Sequence, residues 1–372
     1  MMRILVVSTP LGALGSGCGG GVELTATTLV AGLLERGHAV TVLAAGGSVL
    51  PPACAAATLW TCTGRSQPSA QHQERSAPIT MLADGLLPRF WRRVLLEGPA
   101  VGFELVLNLA YDWLPFWLTP TAPLPIFHLV SMGSVGEAMD GVIADVALWD
   151  QRRLAFHSAV QAADFNLRQA PVVLGNGFDL ATYGFCAEPE PLLGWAGRVA
   201  PEKGLEDAAA AAAQLGLPLA VWGLVEDRAY AAAVEASVPA GTLQWRGFLP
   251  TDQLQEQLGR CRALLNTPKW NEAYGNVVVE ALACGVPVVA YRRGGPGELV
   301  QPQLNGLLVE PDDVGGLVAA VAQVGAIDRR ACRQWAQANA SREVLAERVE
   351  AWLLAGLALP NAIAGRPRIW PG

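Results

Sequence analysis

Residues 271–300, NEAYGNVVVEALACGVPVVAYRRGGPGELV, contain a loop, a helix and a strand in one continuous pattern. Glu272 precedes Gly275 and is expected in the loop, whereas Glu280 lies about one turn into the helix that follows. Gly285 closes this helix, and the apolar run after it predicts a buried strand. This order of elements is typical of a parallel α/β sheet.

The same alternation of apolar runs and helical patterns extends over both halves of the chain. The runs predict strands at Arg3–Ser8, Ala39–Leu43, Leu105–Asn108, Ile126–Val130, Val172–Leu174, Leu192–Ala196, Leu219–Trp222, Ala263–Asn266 and Val286–Ala290. Residues 51–73 show no clear period and are interpreted as a mobile loop, and the chain from about Asp313 is expected to be helical. We therefore predict an α/β protein with two doubly wound, Rossmann-like parallel sheets.

An Asn-Gly turn at Asn176 predicts where the two domains meet. The expected division is an N-terminal domain over residues 1–175, a C-terminal domain over 176–350, and a tail over 351–372 that returns to the N-terminal domain. Ligands of open α/β sheets bind beyond the carboxyl ends of the strands, so a cleft between the domains is the expected active site.

Composition excludes several classes of protein. The chain has 372 residues, 52% of them apolar and 16% charged, which describes a compact globular protein. A net charge of −7 argues against a nucleic-acid surface, and no apolar stretch predicts stable membrane insertion. Seven cysteines without CxxC spacing suggest reduced thiols in the cytoplasm.

A G-x-G-x-x-G pattern occurs at Gly15, Gly17 and Gly20, between the first strand and the first helix. A dinucleotide site also needs an acidic residue after the second strand, where this chain has AAGGS, so NAD binding is not expected. The loop can instead bring backbone amides close to an anion at the start of the helix, or it is a turn without a ligand.

Four charged residues in the second half predict a sugar-nucleotide site. Arg198 and Lys203 lie after a strand and at the start of a helix, where their charges suit a diphosphate leaving group. Carboxylates accept hydrogen bonds from vicinal diols, so Glu272 and Glu280 suit the hydroxyls of a hexose and a ribose. The helix N-terminus between them, at Tyr274, Gly275 and Asn276, suits phosphate.

Together, the motifs GGVE, ERGHAVTV, GRVAPEKG, NGFDL and E-x7-E followed by ALACGVPVVA closely resemble the retaining GT-B glycosyltransferases of family 4. The resemblance extends over nearly the whole chain. Within that family, LNLAYDWLPFWLTP, HLVSMGS and TPKWNEAYGN resemble the enzymes that transfer glucose from UDP-glucose to tetrahydrobiopterin.

The resemblance implies a GT-B fold, two Rossmann-like domains facing across a cleft, and a UDP-glucose-dependent enzyme that forms an α-glucoside on the side-chain hydroxyl of the pterin. By similarity Arg198, Lys203 and Glu272 are catalytic, Glu280 holds the donor ribose, and Gly20 and Gly21 border the phosphates. It implies no cofactor besides the UDP-glucose co-substrate and no metal, in agreement with the lack of an Asp-x-Asp motif.

The predicted acceptor site lies in the first half. Tyr111 and Trp113 offer aromatic faces for a pterin ring, and Asp112 or Asp140 suits its amino-amidine edge. Many family members carry a histidine six residues after a strand proline, where this chain has Ser131. His128 lies on the opposite face of that strand and is expected to be mainly structural, although we keep it among the candidate acceptor residues with Ser131.

Other functions remain open from the sequence. A family 4 enzyme using another sugar nucleotide could act on a lipid or polysaccharide, for which residues 88–98, PRFWRRVLLEG, are a weak membrane-docking signal. A GT-B nucleotide-sugar epimerase would need acid and base groups for which His128 and Ser131 are poor candidates. A non-catalytic sugar-nucleotide binding module is disfavoured because all four charged residues are present.

Overall fold

The computed structural model describes residues 1–16 and 20–358, apart from the side chain of His72. The chain divides into two compact units. The first comprises residues 1–178 and the chain from Arg342, and the second comprises Asp179–Ser341. The expected division placed the boundary after residue 175 and the returning segment at 351; Gly17 and residues 359–372, on which predictions were made, lie outside the described residues.

The first unit is built on a seven-stranded parallel sheet with the order β3-β2-β1-β4-β5-β6-β7. Its strands are β1 Arg3–Val7, β2 Ala39–Ala45, β3 Thr58–Cys62, β4 Leu105–Asn108, β5 Ile126–Val130, β6 Leu154–Phe156 and β7 Val172–Val173. Its helices are α1 Gly21–Glu35, α2 Leu86–Val101, α3 Trp113–Leu118, α4 Glu137–Asp150, α5 Ala159–Ala163 and, at the end of the described chain, α13 Arg342–Ala358.

The second unit is built on a six-stranded parallel sheet with the order β10-β9-β8-β11-β12-β13. Its strands are β8 Leu193–Ala196, β9 Leu219–Trp222, β10 Leu243–Gly247, β11 Ala263–Asn266, β12 Val288–Tyr291 and β13 Gly306–Val309. Its helices are α6 Leu205–Leu215, α7 Arg228–Ala236, α8 Thr251–Gly259, α9 Asn276–Ala283, α10 Pro296–Leu299, α11 Val314–Gln323 and α12 Arg329–Ala340. Two Rossmann-like parallel sheets were predicted, and this prediction is confirmed.

The predicted mobile loop over residues 51–73 is wrong in part, because it contains the edge strand β3. In β3 the sequence TLWTC places no residue in full burial, so it lacks the apolar run that marks a central strand. Parallel pairing with β2, with Val42 opposite Leu59, nevertheless fixes its backbone. The strands β6, β10 and β13 were also not predicted, since each is short or bounded by glycine.

The final helix α13 completes the core of the first unit. Leu345, Val349, Trp352 and Leu353 are all buried in its main apolar cluster. An ideal Cβ on Gly32 of α1 would lie 2.7 Å from the Cβ of Ala346, so this glycine allows the two helices to pack closely. Among the described residues, no helix has the length and apolarity to cross a membrane.

Candidate functional site

Two of the predicted charged residues form an ion pair in the second unit. Lys203 ends a short 3-10 turn after β8, and Glu272 lies in the loop after β11, the neighbouring strand. Because both loops leave the carboxyl edge of the sheet, the ammonium group of Lys203 reaches the carboxylate of Glu272 and pairs with it. Each side chain keeps less than a fifth of its surface exposed, at 19% and 11%.

Trp270, which sequence analysis did not single out, contacts both members of this pair. Its indole Nε1 donates to Oε1 of Glu272 at 3.4 Å, and the ammonium of Lys203 lies 5.1 Å from the ring centroid. Burial acts to raise the pKa of Glu272, but the charge and hydrogen bond of Lys203 outweigh it and hold that pKa below its usual range. Glu272 is therefore a carboxylate at neutral pH.

The two loops are joined by backbone contacts. The hydroxyl of Thr267 donates to the carbonyl of Gly204 at 2.7 Å, and the amide of Lys269 donates to the carbonyl of Glu202 at 2.9 Å. Gly204 has φ 66°, and an ideal Cβ there would lie only 1.9 Å from the Thr267 carbonyl oxygen. The approach of the loops therefore requires glycine at this position.

Arg198 lies in the same loop as Lys203 and is held by two carboxylates. It pairs with Glu202 at 2.8 Å and with Glu226, which follows β9. Its charge is also one of the influences that lower the pKa of Glu272. The structure therefore groups Arg198, Lys203 and Glu272 at one edge of the sheet, where each cation is paired with at least one carboxylate.

Glu280 occupies the fifth position of α9, about one turn into the helix as predicted from the sequence. Its carboxylate accepts a hydrogen bond from the hydroxyl of Tyr183 at 3.2 Å, a partner that no sequence motif identified. Burial raises the pKa of Glu280, and the Tyr183 hydrogen bond opposes this change. Among the described residues, Glu280 is thus a partly buried carboxyl whose hydrogen-bond donor is the neutral hydroxyl of Tyr183.

The residues between the two carboxylates form the start of α9. Gly275 precedes the helix with φ 98°, and a Cβ there would approach Cγ of Pro296 to 2.8 Å. Tyr274 is buried, and Asn276 is the first helical residue. Helix N-termini of this kind offer amide donors to an anion.

The glycine loop of the first unit is partly described. Gly20 has φ 54° and precedes α1, which starts at Gly21, and both glycines are exposed. The buried Glu23 accepts from the amide of Gly15 at 2.9 Å and so fixes the near end of the loop. Whether the loop holds an anion stays a prediction.

Three of the six predicted acceptor residues border a cavity in the first unit, with a volume of about 520 Å³ that includes space open to solvent. Tyr111, Asp112 and Trp113 line one side of it, directly after β4. The Tyr111 hydroxyl donates to the carbonyl of Gly133 at 2.9 Å, which leaves its ring as the available surface. Burial raises the pKa of Asp112 to about 6, so this carboxyl ionises near neutral pH.

His128, which was kept among the candidate acceptor residues, requires correction. His128 is completely buried, and its ring stacks on Phe116 with 4.1 Å between the ring centroids. Its Nδ1 atom lies 3.1 Å from Asn108 Nδ2, and its Nε2 atom lies 2.7 Å from Thr119 Oγ1. Burial lowers its pKa to about 3, so it is a neutral histidine whose ring is held by side chains inside the first unit. Ser131 follows β5 and is half-buried.

Asp140 is held by protein groups. Its Oδ2 atom accepts from Arg75 Nη2 at 2.6 Å and from the Ser134 hydroxyl at 2.8 Å. The predicted contact with a pterin edge therefore competes with an ion pair inside the first unit. Position on a helix near aromatic residues had suggested the acceptor role, but the sequence did not reveal Arg75 as its partner.

Comparison with known proteins gives a family for the second unit and a fold for the chain. Residues 186–342 match the family model described as "Glycosyl transferases group 1". The 2-deoxystreptamine glucosyltransferase of Streptomyces kanamyceticus is 35% identical over 186 residues, which are 48% of this chain and 47% of that protein. The chain thus spans about half the length of this curated relative.

Two solved structures resemble almost the whole chain. AviGT4, a glycosyltransferase involved in avilamycin A biosynthesis, has a TM-score of 0.71 at 21% identity and covers 97% of this chain and 99% of its own. Anabaena Alr3699/HepE in complex with UDP and glucose has a TM-score of 0.70 at 20% identity, with coverage of 95% and 99%. Residues 186–342 therefore match a group 1 glycosyltransferase domain, and the chain as a whole has the GT-B fold.

Proposed function

We propose that this protein is a retaining glycosyltransferase that transfers glucose from UDP-glucose to a hydroxyl group of a small, nitrogen-bearing ring compound, with tetrahydrobiopterin as the first acceptor to test. The carrying observation is the Lys203–Glu272 ion pair, with Glu280 eight residues further along the chain, inside the segment that matches the glycosyltransferase family. These residues supply the charges that a nucleotide sugar requires.

On the donor side, each group has a chemical task. Arg198 and Lys203 oppose the negative charge that develops on the departing UDP. Glu272 accepts hydrogen bonds from sugar hydroxyls because Lys203 keeps it ionised, and Glu280 accepts from the ribose. The UDP complex of the similarly folded Alr3699/HepE supports UDP as the nucleotide.

The proposed reaction balances without a protein base. The acceptor oxygen forms a bond to C1 of glucose on the face from which UDP departs, and the C1–O bond to the diphosphate breaks with its electron pair. The acceptor proton passes to a phosphate oxygen of the leaving UDP. This route suits the chain because His128 is buried and paired, and Ser131 is no base near neutral pH.

The acceptor chemistry follows from the cavity of the first unit. Asp112 can accept hydrogen bonds from an amine or amidine, and Trp113 offers an aromatic face beside it. A pterin satisfies both, and the aminocyclitol named for the Streptomyces kanamyceticus relative satisfies the first. 2-Deoxystreptamine is therefore the second acceptor to test.

The test measures UDP release from UDP-glucose under reducing conditions in EDTA, with tetrahydrobiopterin, with 2-deoxystreptamine and without an acceptor. We expect acceptor-dependent release that is lost in Glu280→Gln and retained in Arg36→Ala, a matched change in an ion pair of the first unit. Proton NMR of the product should show an α-anomeric linkage. Conversion of UDP-glucose into another nucleotide sugar without any acceptor would instead identify a nucleotide-sugar isomerase and overturn the proposal.

A further inference from the structure

The cavity in the first unit owes most of its wall to one irregular segment. Ten of its seventeen lining residues belong to residues 67–80. They lie within residues 64–85, here called the strap, whose only regular element among the described residues is a single 3-10 turn. A segment without an apolar core depends on its polar tethers to stay in place.

The two ends of the strap are tied together. Arg65 Nε lies 2.9 Å from both carboxylate oxygens of Asp84, and the amide of Leu86 donates to the carbonyl of Arg65 at 2.8 Å. An ideal Cβ on Gly64 would lie 2.9 Å from the Asp84 carbonyl oxygen, so the ends touch closely. The strap is therefore a closed loop whose base is fixed.

A buried glutamine in the middle of the strap joins its two arms by a hydrogen bond. The side chain of Gln67 is buried, and its Nε2 donates to the carbonyl of Thr80 at 2.7 Å. The amide of Gln67 donates to the carbonyl of Pro10, after β1, at 3.0 Å. This brace keeps the two arms of the loop together.

Arg75 ties the far end of the strap to the opposite wall. Its Nη1 donates to the carbonyl and the hydroxyl of Ser134, both at 3.0 Å, and its Nη2 donates to Asp140 at 2.6 Å. The carbonyl of Arg75 accepts from the amide of Glu137, the first residue of α4, at 2.9 Å. A guanidinium with several fixed donors suits such a bridge better than an ammonium.

We propose that the strap is the lid of the acceptor cavity and that Arg75 is the positioning residue that holds it closed, so the protein takes small-molecule acceptors that enter when this bridge opens. The proposal rests on the proposed function for the identity of the ligand. The space of about 520 Å³ beneath the strap includes volume that is open to solvent, and opening of the Arg75 bridge would widen it for a bicyclic or monosaccharide-sized molecule.

Hydrogen exchange tests the closure without any substrate. In Arg75→Ala we expect exchange in peptides covering residues 66–82 to accelerate about fivefold, the change that losing one exposed ion-pair network produces. Arg36→Ala, which removes an equally surface-bound arginine paired with Glu350, should leave the strap unchanged. Equal exchange rates of these peptides in the wild type and in Arg75→Ala would overturn the proposal that Arg75 holds the strap closed.

Kinetics tests the positioning role. Arg75→Ala should raise the acceptor KM about fivefold while the KM for UDP-glucose stays unchanged, and Arg75→Lys should recover part of the loss. Faster exchange with an unchanged acceptor KM would overturn the positioning role. If the wild type releases no UDP with any acceptor, the proposed function and the ligand assignment fail together, and hydrogen exchange alone then decides whether Arg75 closes the strap.

Discussion

Lys203 and Glu272 lie 69 positions apart in the chain and form one ion pair at the carboxyl edge of the second sheet. The pair places a cation for a phosphate beside a carboxylate for hydroxyl groups, and Trp270 contacts both. Each charge also offsets the desolvation cost of the other, because both side chains are largely buried. Stability and proposed donor binding therefore depend on the same contact.

Lys203→Met should destabilise the protein by about 2 kcal/mol at pH 7, because Glu272 is left buried without its counter-charge. In the wild type the lowered pKa of Glu272 adds stability above pH 4.5, its usual value, which is lost as the pH falls further. In the variant only Trp270 and Arg198 still oppose the effect of burial, so we expect the pKa of Glu272 to rise and the cost to grow as the pH rises above 4.5. Urea unfolding at pH 4 and pH 7.5 measures both trends.

The double variant Lys203→Met, Glu272→Gln is the control for this prediction. A neutral glutamine removes the uncompensated charge, so the double variant should be more stable at pH 7 than Lys203→Met alone. If the stability losses of Lys203→Met and of Glu272→Gln, each measured alone, add up to the loss of the double variant, the two residues are not coupled and the ion pair contributes nothing, in contradiction to the structure.

Tyr183→Phe should weaken UDP binding, because Glu280 loses the hydroxyl that favours its ionised form. The pKa of Glu280 then rises further, so between pH 6 and pH 8 the loss of affinity should be larger at the lower pH. Calorimetric titration with UDP over this range measures the effect. Tyr230→Phe, which removes a hydroxyl bonded to Glu206, is the matched control, and an equal loss in both variants would refute the assigned role of Tyr183.

Asp112→Asn should stabilise the protein at high pH and weaken acceptor binding. The folded carboxyl has its pKa raised to about 6 from the ordinary 3.8, so the native state loses stability as the pH rises through this window. Above pH 7 the asparagine variant should be more stable by about 2 kcal/mol, with little difference at pH 4. Thermal unfolding at both pH values measures this difference.

The same variant tests the acceptor role of Asp112. In the wild type the acceptor KM should rise as the pH falls through about 6, because the carboxylate becomes protonated. The variant should have a higher KM without that pH dependence. A KM equal to that of the wild type at pH 8 would remove Asp112 from the acceptor site.

The sequence predicted those parts of the fold whose pattern lies within one short stretch of the chain. The central strands were predicted because each is a continuous apolar run, and Glu280 could be placed on α9 because Gly275 and Gly285 bound the helix. The edge strand β3 was missed because its pairing with β2 fixes it, with few buried residues to mark it.

The tertiary partners of the site were not predictable from spacing. Tyr183 lies 97 positions from Glu280, and Arg75 lies 65 positions from Asp140, so no periodicity joins either pair. His128 shows the converse case, since strand alternation placed it on the face opposite to Ser131, which holds the position of the family histidine, and the structure buries it completely. The sequence thus identified the charged residues of the candidate site, whereas their hydrogen-bond partners could be identified only from the fold.

Gly204→Ala should disrupt the donor site through the backbone. A Cβ at this position would lie 1.9 Å from the Thr267 carbonyl oxygen, so the loop that carries Lys203 must move away from the loop that carries Glu272. We expect a loss of more than about 3 kcal/mol in stability, or a loss of UDP binding if the protein still folds. Gly216→Ala is the matched control, because Gly216 has φ 63° against 66° for Gly204 and no atom within 4 Å of its ideal Cβ. It shares the left-handed strain but lacks the collision, so it should cost only about 1 kcal/mol and leave UDP binding intact. If the two variants lose equal stability in urea unfolding and bind UDP equally, the close approach of Gly204 to Thr267 does not hold the two loops together.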